Sequence, residues 1–147
     1  MPNWCKNFLQ VNGPDQDLVR FQRQAAPAAA RGGHPSADTP EAFSFQRLVP
    51  LPERLQTLTG DDAGFDSPQQ AWGCRSDACQ SAQEETREGG VLYKFATPWS
   101  PPLTFLREVS RRWPTLVYAL DYDEPMMAFR GMAHAANGRM QYSHFDY

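Results

Sequence analysis

Residues 89–113 read GGVLYKFATPWSPPLTFLREVSRRW, and the rest of the fold can be worked out from them. Residues 91–96 alternate between two faces with a period of two, which is typical of a sheet strand. The next six residues, TPWSPP, contain three prolines and cannot continue that strand. Leu103, Leu106 and Trp113 then recur at helical spacing, and Pro114 ends the pattern. The stretch predicts a strand, a rigid corner and a helix that Ser100 caps.

The same period of two occurs elsewhere in the chain. Residues 4–11 predict a central strand, because apolar side chains occupy both of its faces. Further strands are predicted at 41–49, 116–122, 127–131 and 140–144. The pair Asn137-Gly138 predicts a tight hairpin turn between the last two strands. Apolar residues at helical spacing predict a helix from Asp15 to about Ala26.

Three segments do not fit a regular strand pattern. Residues 28–40 are rich in glycine, proline and small side chains, so we expect a flexible loop. Residues 52–58 predict a short helix. Residues 60–88 are mostly polar and predict a long irregular crossover, within which a short helix opens at Ser67 and ends near Trp72.

This order of elements indicates an α+β fold. Two halves, each with a strand, a helix and a strand, and a C-terminal hairpin predict a ferredoxin-like sandwich over residues 1–147 as a single domain. We expect a mixed or antiparallel sheet of five to six strands, with two helices covering one face.

Composition limits the functional classes. The 147 residues carry 17 acidic and 14 basic side chains, for a net charge of −3, which is not typical of a general nucleic-acid binder. No apolar run approaches the ~18 residues of a membrane span, and the first residues do not resemble a signal peptide. We therefore expect a cytoplasmic protein. Its three cysteines, an odd number, are expected to be free thiols.

Five blocks of the sequence are distinctive: MPNWCKN at 1–7, FSF at 43–45, WGCRSD at 72–77, TPWSPP at 97–102 and the late pair Glu124-Pro125. Together they resemble the YubB-like family, whose members have a ferredoxin-like domain and no established activity. Cys74 and Ser76 stand where the family pattern has Thr and Trp, and Pro98 replaces Ala. The family occurs on bacteriophages, plasmids and pathogenicity islands. The resemblance implies the fold and a mobile-element origin, but no catalytic residue or cofactor.

Metal binding and covalent catalysis are both disfavoured by the spacing of the side chains that would be needed. Four residues separate Cys74 from Cys79, at the edge of zinc patterns, and no second pair of ligands follows. A nucleophile at Cys74 or Ser100 would need a base at hydrogen-bond distance, and no histidine is placed to supply one. We therefore expect no metal, no cofactor and no enzymatic activity.

A set of side chains in the connecting segments is the candidate binding site. Its members offer indole surfaces and charge-assisted hydrogen bonds, and they are Trp72, Arg75, Asp77, Trp99 and Glu124. One interpretation is a pocket between Trp72 and Trp99 that binds a small ligand or a substrate. The other is structural: the indoles pack under the crossover and Arg75 pairs with an acid to hold it.

Nucleic-acid binding is a further alternative, because ferredoxin-like sheets can stack bases on exposed aromatic residues. The aromatic strand residues available for this are Trp4, Phe8, Tyr93, Tyr118 and Tyr142. The negative charge, and the lack of a ribonucleoprotein motif in any strand, make nucleic acid an unlikely partner.

The leading hypothesis is a non-enzymatic binding protein from a phage or plasmid that modulates or inhibits a host or rival-element protein. Exposed acidic side chains could attract a basic partner; they are Asp61, Asp62, Glu84, Glu85 and Glu88.

Overall fold

The computed structural model describes residues 2–27, 42–52 and 66–147. Its strands are β1 (Trp4–Asn12), β2 (Cys79–Arg87), β3 (Gly90–Pro98), β4 (Val117–Glu124), β5 (Phe129–Ala136) and β6 (Arg139–Asp146). Its helices are α1 (Asp15–Ala25), α2 (Phe45–Leu48), α3 (Asp66–Trp72) and α4 (Leu103–Arg112). The predicted loop at 28–40 and, beyond its first residue, the predicted helix at 52–58 lie outside the described ranges.

The strands form one antiparallel sheet in the order β2-β3-β1-β4-β5-β6. The series β1-α1-β2-β3-α4-β4 with this order of its four strands is the ferredoxin-like arrangement, and β5 and β6 extend the sheet beyond β4. The predicted α+β ferredoxin-like fold is confirmed. The strand predictions for β1, β3, β4 and β6 are also confirmed, as is the short helix α3 that ends at Trp72. The strand predicted at 127–131 overlaps β5, which begins only at Phe129 and continues to Ala136.

The two faces of the sheet have different environments. Alternate residues of β1 are buried on one face, which we call the helix face because α1 and α4 pack on it. The intervening residues Trp4, Lys6, Phe8 and Gln10 are exposed on the other face, which we call the open face. β1 is central in the sheet, as predicted. Its second set of apolar side chains nevertheless faces outward and is not covered by a second layer of described residues.

The core on the helix face is built from aromatic rings. Phe21 of α1 lies against Tyr93 of β3 and Tyr118 of β4, with ring centroids 6.3 and 6.0 Å apart. Phe105 of α4 packs on Phe45, at 4.4 Å between centroids. The Phe21 contacts fix α1 to the sheet, and the Phe105 contact joins α4 to α2, because each aromatic side chain removes a large apolar area from water. In the described part of the chain, no helix has the length and apolar composition to cross a membrane.

The strand predicted at 41–49 is wrong, because residues Phe45–Leu48 form the short helix α2. The alternation of Phe43 and Phe45 suggested two faces, but both rings are buried in the same core. Phe43 stacks on Phe95 at 5.2 Å and meets Phe45 edge-on at 5.8 Å. A short segment lying on the core can bury consecutive aromatic residues without pairing with a strand.

The irregular crossover predicted at 60–88 is wrong at its end, where Cys79–Arg87 form the edge strand β2. This strand is mostly polar and pairs with β3 through two register shifts, so it lacks the regular alternation that predicts a strand.

The predicted capping role of Ser100 is also wrong. Helix α4 begins after Pro102, which makes no side-chain cap hydrogen bond. The Ser100 hydroxyl instead donates to the carbonyl of Gly73, at 2.8 Å. The Pro101-Pro102 pair places Ser100 two residues before the N-cap position, and its hydroxyl joins two corners of the chain instead.

Candidate functional site

Asp77 is the residue that fixes the segment 42–51 to the rest of the protein. Its carboxylate accepts hydrogen bonds from the backbone N–H of Phe45 at 2.6 Å and of Gln46 at 3.3 Å. It also accepts from the Ser44 hydroxyl and from its neighbour Ala78 N–H, each at 2.7 Å. A carboxylate at the first turn of a helix satisfies donors that have no partner within the helix. The structure thus gives Asp77 a structural role.

Trp72 holds the other end of the same segment. Its indole is 4% exposed and its Nε1–H donates to the carbonyl of Val49 at 2.8 Å. The ring meets Phe45 at 5.6 Å. A buried indole needs a partner for its N–H, and the end of α2 supplies one. Trp72 therefore belongs to the core and presents no free surface to a ligand.

The corner at Trp99 is built differently. Its backbone is in the left-handed region, with φ of 69°, and its N–H donates to the carbonyl of Asn3 at 2.8 Å. Thr97 stabilises the corner: its hydroxyl donates to the carbonyl of Ser100 at 2.7 Å and accepts from the buried Asn7 at 3.0 Å. The indole of Trp99 is 39% exposed. Of the two indoles of the candidate set, this one is available to a partner.

Glu124 is fully buried, and its carboxylate accepts hydrogen bonds from backbone N–H groups. Its carboxylate accepts from the N–H groups of Met126 at 3.1 Å and Met127 at 2.5 Å, within the turn that joins β4 to β5. Arg75 is exposed on the surface. The five residues of the candidate set therefore do not converge on one pocket, and their carboxylates mainly hold turns and a helix start.

The space between Trp72 and Trp99 is closed by backbone. Ser100 bonds the carbonyl of Gly73, and a Cβ added at Gly73 would lie 3.1 Å from the backbone nitrogen of Thr104. Gly73 also has a φ of 87°, which favours glycine. The two tryptophan-bearing corners are in contact, but the predicted pocket does not lie between the indoles.

A shallow groove does lie beside Trp99, between the start of α4 and β6. Its lining combines aromatic rings with polar side chains, and the main residues are Trp99, Phe129, Tyr142, His144, Gln69 and Thr104. Tyr142 is 58% exposed. The Tyr122 hydroxyl reaches His144 Nδ1 at 3.1 Å across Gly131, where a Cβ would collide with the tyrosine ring. This groove was not predicted, because residues from β4, β5, β6 and the corner before α4 form it.

The thiols are poorly suited to nucleophilic chemistry. Cys5 and Cys74 are buried, and burial raises the pKa of Cys5 to about 12. The pKa of Cys74 is raised for the same reason. A protonated thiol is a weak nucleophile. Among the described residues, no group of three or more His, Cys, Asp or Glu side chains could hold a metal ion.

The open face of the sheet carries large apolar side chains that no layer of described residues covers. Trp4 and Phe8 are each 40% exposed, Met132 is 49% exposed and Phe145 is 50% exposed. Phe8, Met132 and Phe145 line one shallow depression. These residues come from β1, β5 and β6, so only the strand order brings them together.

Charges of both signs surround this apolar surface. Phe8 stands opposite Lys94 on β3 and Asp121 on β4, and the ammonium of Lys94 lies 5.8 Å from the centre of the Phe8 ring. Lys6 stands opposite Asp123, which in turn stands opposite Arg130. The open face therefore combines apolar rings with alternating positive and negative groups.

Comparisons with known proteins identify the fold. A family model described as the ferredoxin-like domain in Api92-like protein matches residues 78–145. The crystal structure of a protein api92 from Yersinia pseudotuberculosis covers 100% of this chain and 98% of its own, at a TM-score of 0.69 and 13% sequence identity. At this identity the likeness concerns the fold alone. The search of curated proteins finds no match. The comparisons support a relationship to an uncharacterised family with a ferredoxin-like domain.

Proposed function

We propose that this protein is a non-enzymatic binding protein of phage or plasmid origin, which modulates or inhibits a host or rival-element protein and binds it with the open face of its sheet. The observation that carries the proposal is the apolar surface of Phe8, Met132 and Phe145, which are 40 to 50% exposed on three strands of one face. Asp121 lies between Phe8 and Met132 in the register, and exposed apolar side chains interspersed with charges are found in non-obligate protein interfaces.

The charge pattern favours a protein over a nucleic acid as the partner. A surface that binds phosphates is positive over its whole length, whereas here Asp121 stands directly opposite Phe8. Of the five aromatic residues proposed for base stacking, Tyr93 and Tyr118 are buried on the helix face. Alternating charges suit a protein partner whose own charges alternate, because they fix its orientation.

The acidic residues proposed for attracting a partner contribute little to this argument. Asp61 and Asp62 lie outside the described residues, as does the side chain of Glu85. Glu84 and Glu88 are exposed at the edge of the sheet, on β2 and the turn after it.

The non-enzymatic part of the proposal is supported by how the polar groups are used. The carboxylates of Asp77 and Glu124 are occupied by backbone donors, and the Cys5 thiol is held protonated. Asp77 accepts four hydrogen bonds, which uses the acceptor capacity of a carboxylate, and Glu124 is fully buried, so neither is placed to take a proton from a substrate.

The test compares two double variants in affinity capture from a host lysate treated with nuclease. Replacing Phe8 and Met132 by serine should abolish capture of any specific partner, because it removes two of the three large apolar side chains of the surface. The matched control replaces Val19 on α1 and Met127 in the β4–β5 turn, which are 45% and 57% exposed away from the open-face depression. A partner that both double variants retain equally would contradict the proposal. Capture that appears only when the nuclease is omitted would contradict it as well.

A small ligand in the groove beside Trp99 is a second candidate, favoured by its aromatic lining. A small-molecule library screened by indole NMR should give ligands that shift the Trp99 Nε1–H signal and lose binding in Trp99→Ala. If the library shifts only signals of the open face, this candidate fails.

A further inference from the structure

β6 ends the sheet with a long, regular edge. It pairs with β5 at every position from Arg139 to Asp146 without a register shift, and no described strand lies on its other side. The opposite edge strand, β2, is interrupted by two register shifts, which are a common means of preventing further pairing. β6 contains no proline and no shift. Its outer edge is therefore a template for another strand.

The outward backbone groups of β6 can be identified from the ladder. The N–H of Tyr147 donates to the carbonyl of Ala128 at 2.8 Å, which continues the pairing with β5. Backbone groups of an antiparallel strand alternate between its two neighbours. The backbone N–H of Tyr147 faces β5. The N–H and C=O groups of alternate residues therefore face away from β5, and these residues are Met140, Tyr142, His144 and Asp146.

We propose that the outer edge of β6 pairs antiparallel with β6 of a second copy of this chain, around a twofold axis at Ser143. In a continuous sheet, opposed residues must project from the same face. With the axis at Ser143, Tyr142 opposes His144 of the second copy, and Met140 opposes its Asp146. Each of the four residues with outward backbone groups then lies opposite one of the same four residues in the second copy.

Other registers with the correct faces match fewer of these groups. Moving the axis to Tyr142 brings Asp146 against Gly138, which lies in the hairpin turn. Moving it to His144 brings Met140 opposite a position past the end of the strand. In one register the strand thus matches all of its outward backbone groups with those of a second copy, and a twofold axis makes each of these pairings twice.

The pairing would also cover side chains that are now exposed. Tyr142 is 58% exposed on the helix face and Phe145 is 50% exposed on the open face. In the proposed register Phe145 lies beside Gln141 of the second copy. A single strand pair buries less area than a standard interface, so we expect a dimer that dissociates at about micromolar concentration. This assembly does not depend on the function proposed above.

Cysteine cross-linking tests the register directly, in a Cys79→Ser background that removes the partly exposed native thiol. In Ser143→Cys the two cysteines would face each other at a non-hydrogen-bonded pair, with Cα atoms about 4.5 Å apart, which suits a disulfide. In the control Gln141→Cys, on the same strand and face, they would be about 13 Å apart. Mild oxidation should link Ser143→Cys at least about tenfold faster. Equal rates, or no covalent dimer in either variant, would overturn the proposed pairing.

Sedimentation of the unlabelled protein tests the backbone contact. Tyr142→Pro removes one outward N–H and leaves the ladder to β5 intact, because proline is tolerated where its missing donor faces outward. Tyr142→Thr removes the same ring and keeps the N–H. The wild type should reach a dimer as its concentration rises, with Tyr142→Thr close to it and Tyr142→Pro at least about tenfold weaker. A wild type that stays monomeric at about 500 µM, or a Tyr142→Pro protein that dimerises as well as Tyr142→Thr, would refute the proposal.

Discussion

Replacing Asp77 by alanine should destabilise the protein strongly, although Asp77 lies in a connection and outside every helix and strand. The substitution removes the acceptor of four hydrogen bonds. The donors include the N–H of Phe45, a residue that is fully buried. A donor left without a partner away from water costs about 1–3 kcal/mol.

The expected loss can be worked out donor by donor. The hydrogen bond from the Gln46 N–H is the longest of the four, at 3.3 Å, so it contributes little. Phe45 N–H, Ala78 N–H and the Ser44 hydroxyl each lose a charge-assisted bond, at about 1 kcal/mol each after partial rehydration. We expect Asp77→Ala to lower the free energy of unfolding by about 3 kcal/mol. Asp77→Asn, which keeps one oxygen, should lose about half of that.

Urea unfolding followed by circular dichroism measures this difference. The midpoint should fall with little change in the denaturant slope, which would show that stability changed and the unfolded state did not. Asp121→Ala on the open face is the control, because an exposed surface substitution changes stability by about 0.5 kcal/mol or less. If Asp77→Ala is no less stable than Asp121→Ala, then the carboxylate does not hold α2 and the assignment of Asp77 as a structural residue is wrong.

Three further substitutions test other parts of the structure. Tyr93→Phe should leave stability unchanged or raise it by up to about 1 kcal/mol in thermal unfolding, because the buried Tyr93 hydroxyl has no hydrogen-bond partner among the described residues; a clear loss would show that it has one. Gly131→Ala should cost at least about 2 kcal/mol, because the added Cβ collides with Tyr122, and unchanged stability would contradict the packing of that ring. Glu108→Gln should flatten the acid limb of the stability curve: a hydrogen bond from Arg111 lowers the pKa of Glu108 to about 2, so the stabilisation is complete above its ordinary pKa of 4.5 and is lost as the pH falls towards 2. If both proteins lose stability equally as the pH falls, then the Glu108–Arg111 ion pair does not contribute to the free energy of unfolding.

The strands with regular alternation were predictable, and those without it were not. β1, β3 and β4 each bury one set of alternate residues against the helices, and that pattern is present in the sequence. β2 is an edge strand whose pairing shifts twice, so its polar residues show no period. The segment at 43–48 has the alternation of a strand but forms α2, because Asp77 and Trp72, distant in sequence, hold it on the core.

The candidate site was likewise predictable from the sequence only in part. The tryptophan-bearing corners were identified from their motifs, and the structure brings them into contact through Ser100 and Gly73. Which indole is exposed was not predictable, because a side chain's exposure depends on what packs over it. The open-face surface of Phe8 and Met132 was missed for a related reason: apolar residues on both faces of a strand indicate two covered faces, and only one is covered by described residues.

The amino-acid sequence alone determined the fold class of this protein, since the spacing of apolar residues, prolines and turn residues acts over a few neighbouring positions. The tertiary structure decided which carboxylates are occupied, which aromatic residues remain in contact with water, and which edge of the sheet is left open. These properties depend on strand order and on contacts between residues far apart in the chain, where the local pattern carries no information.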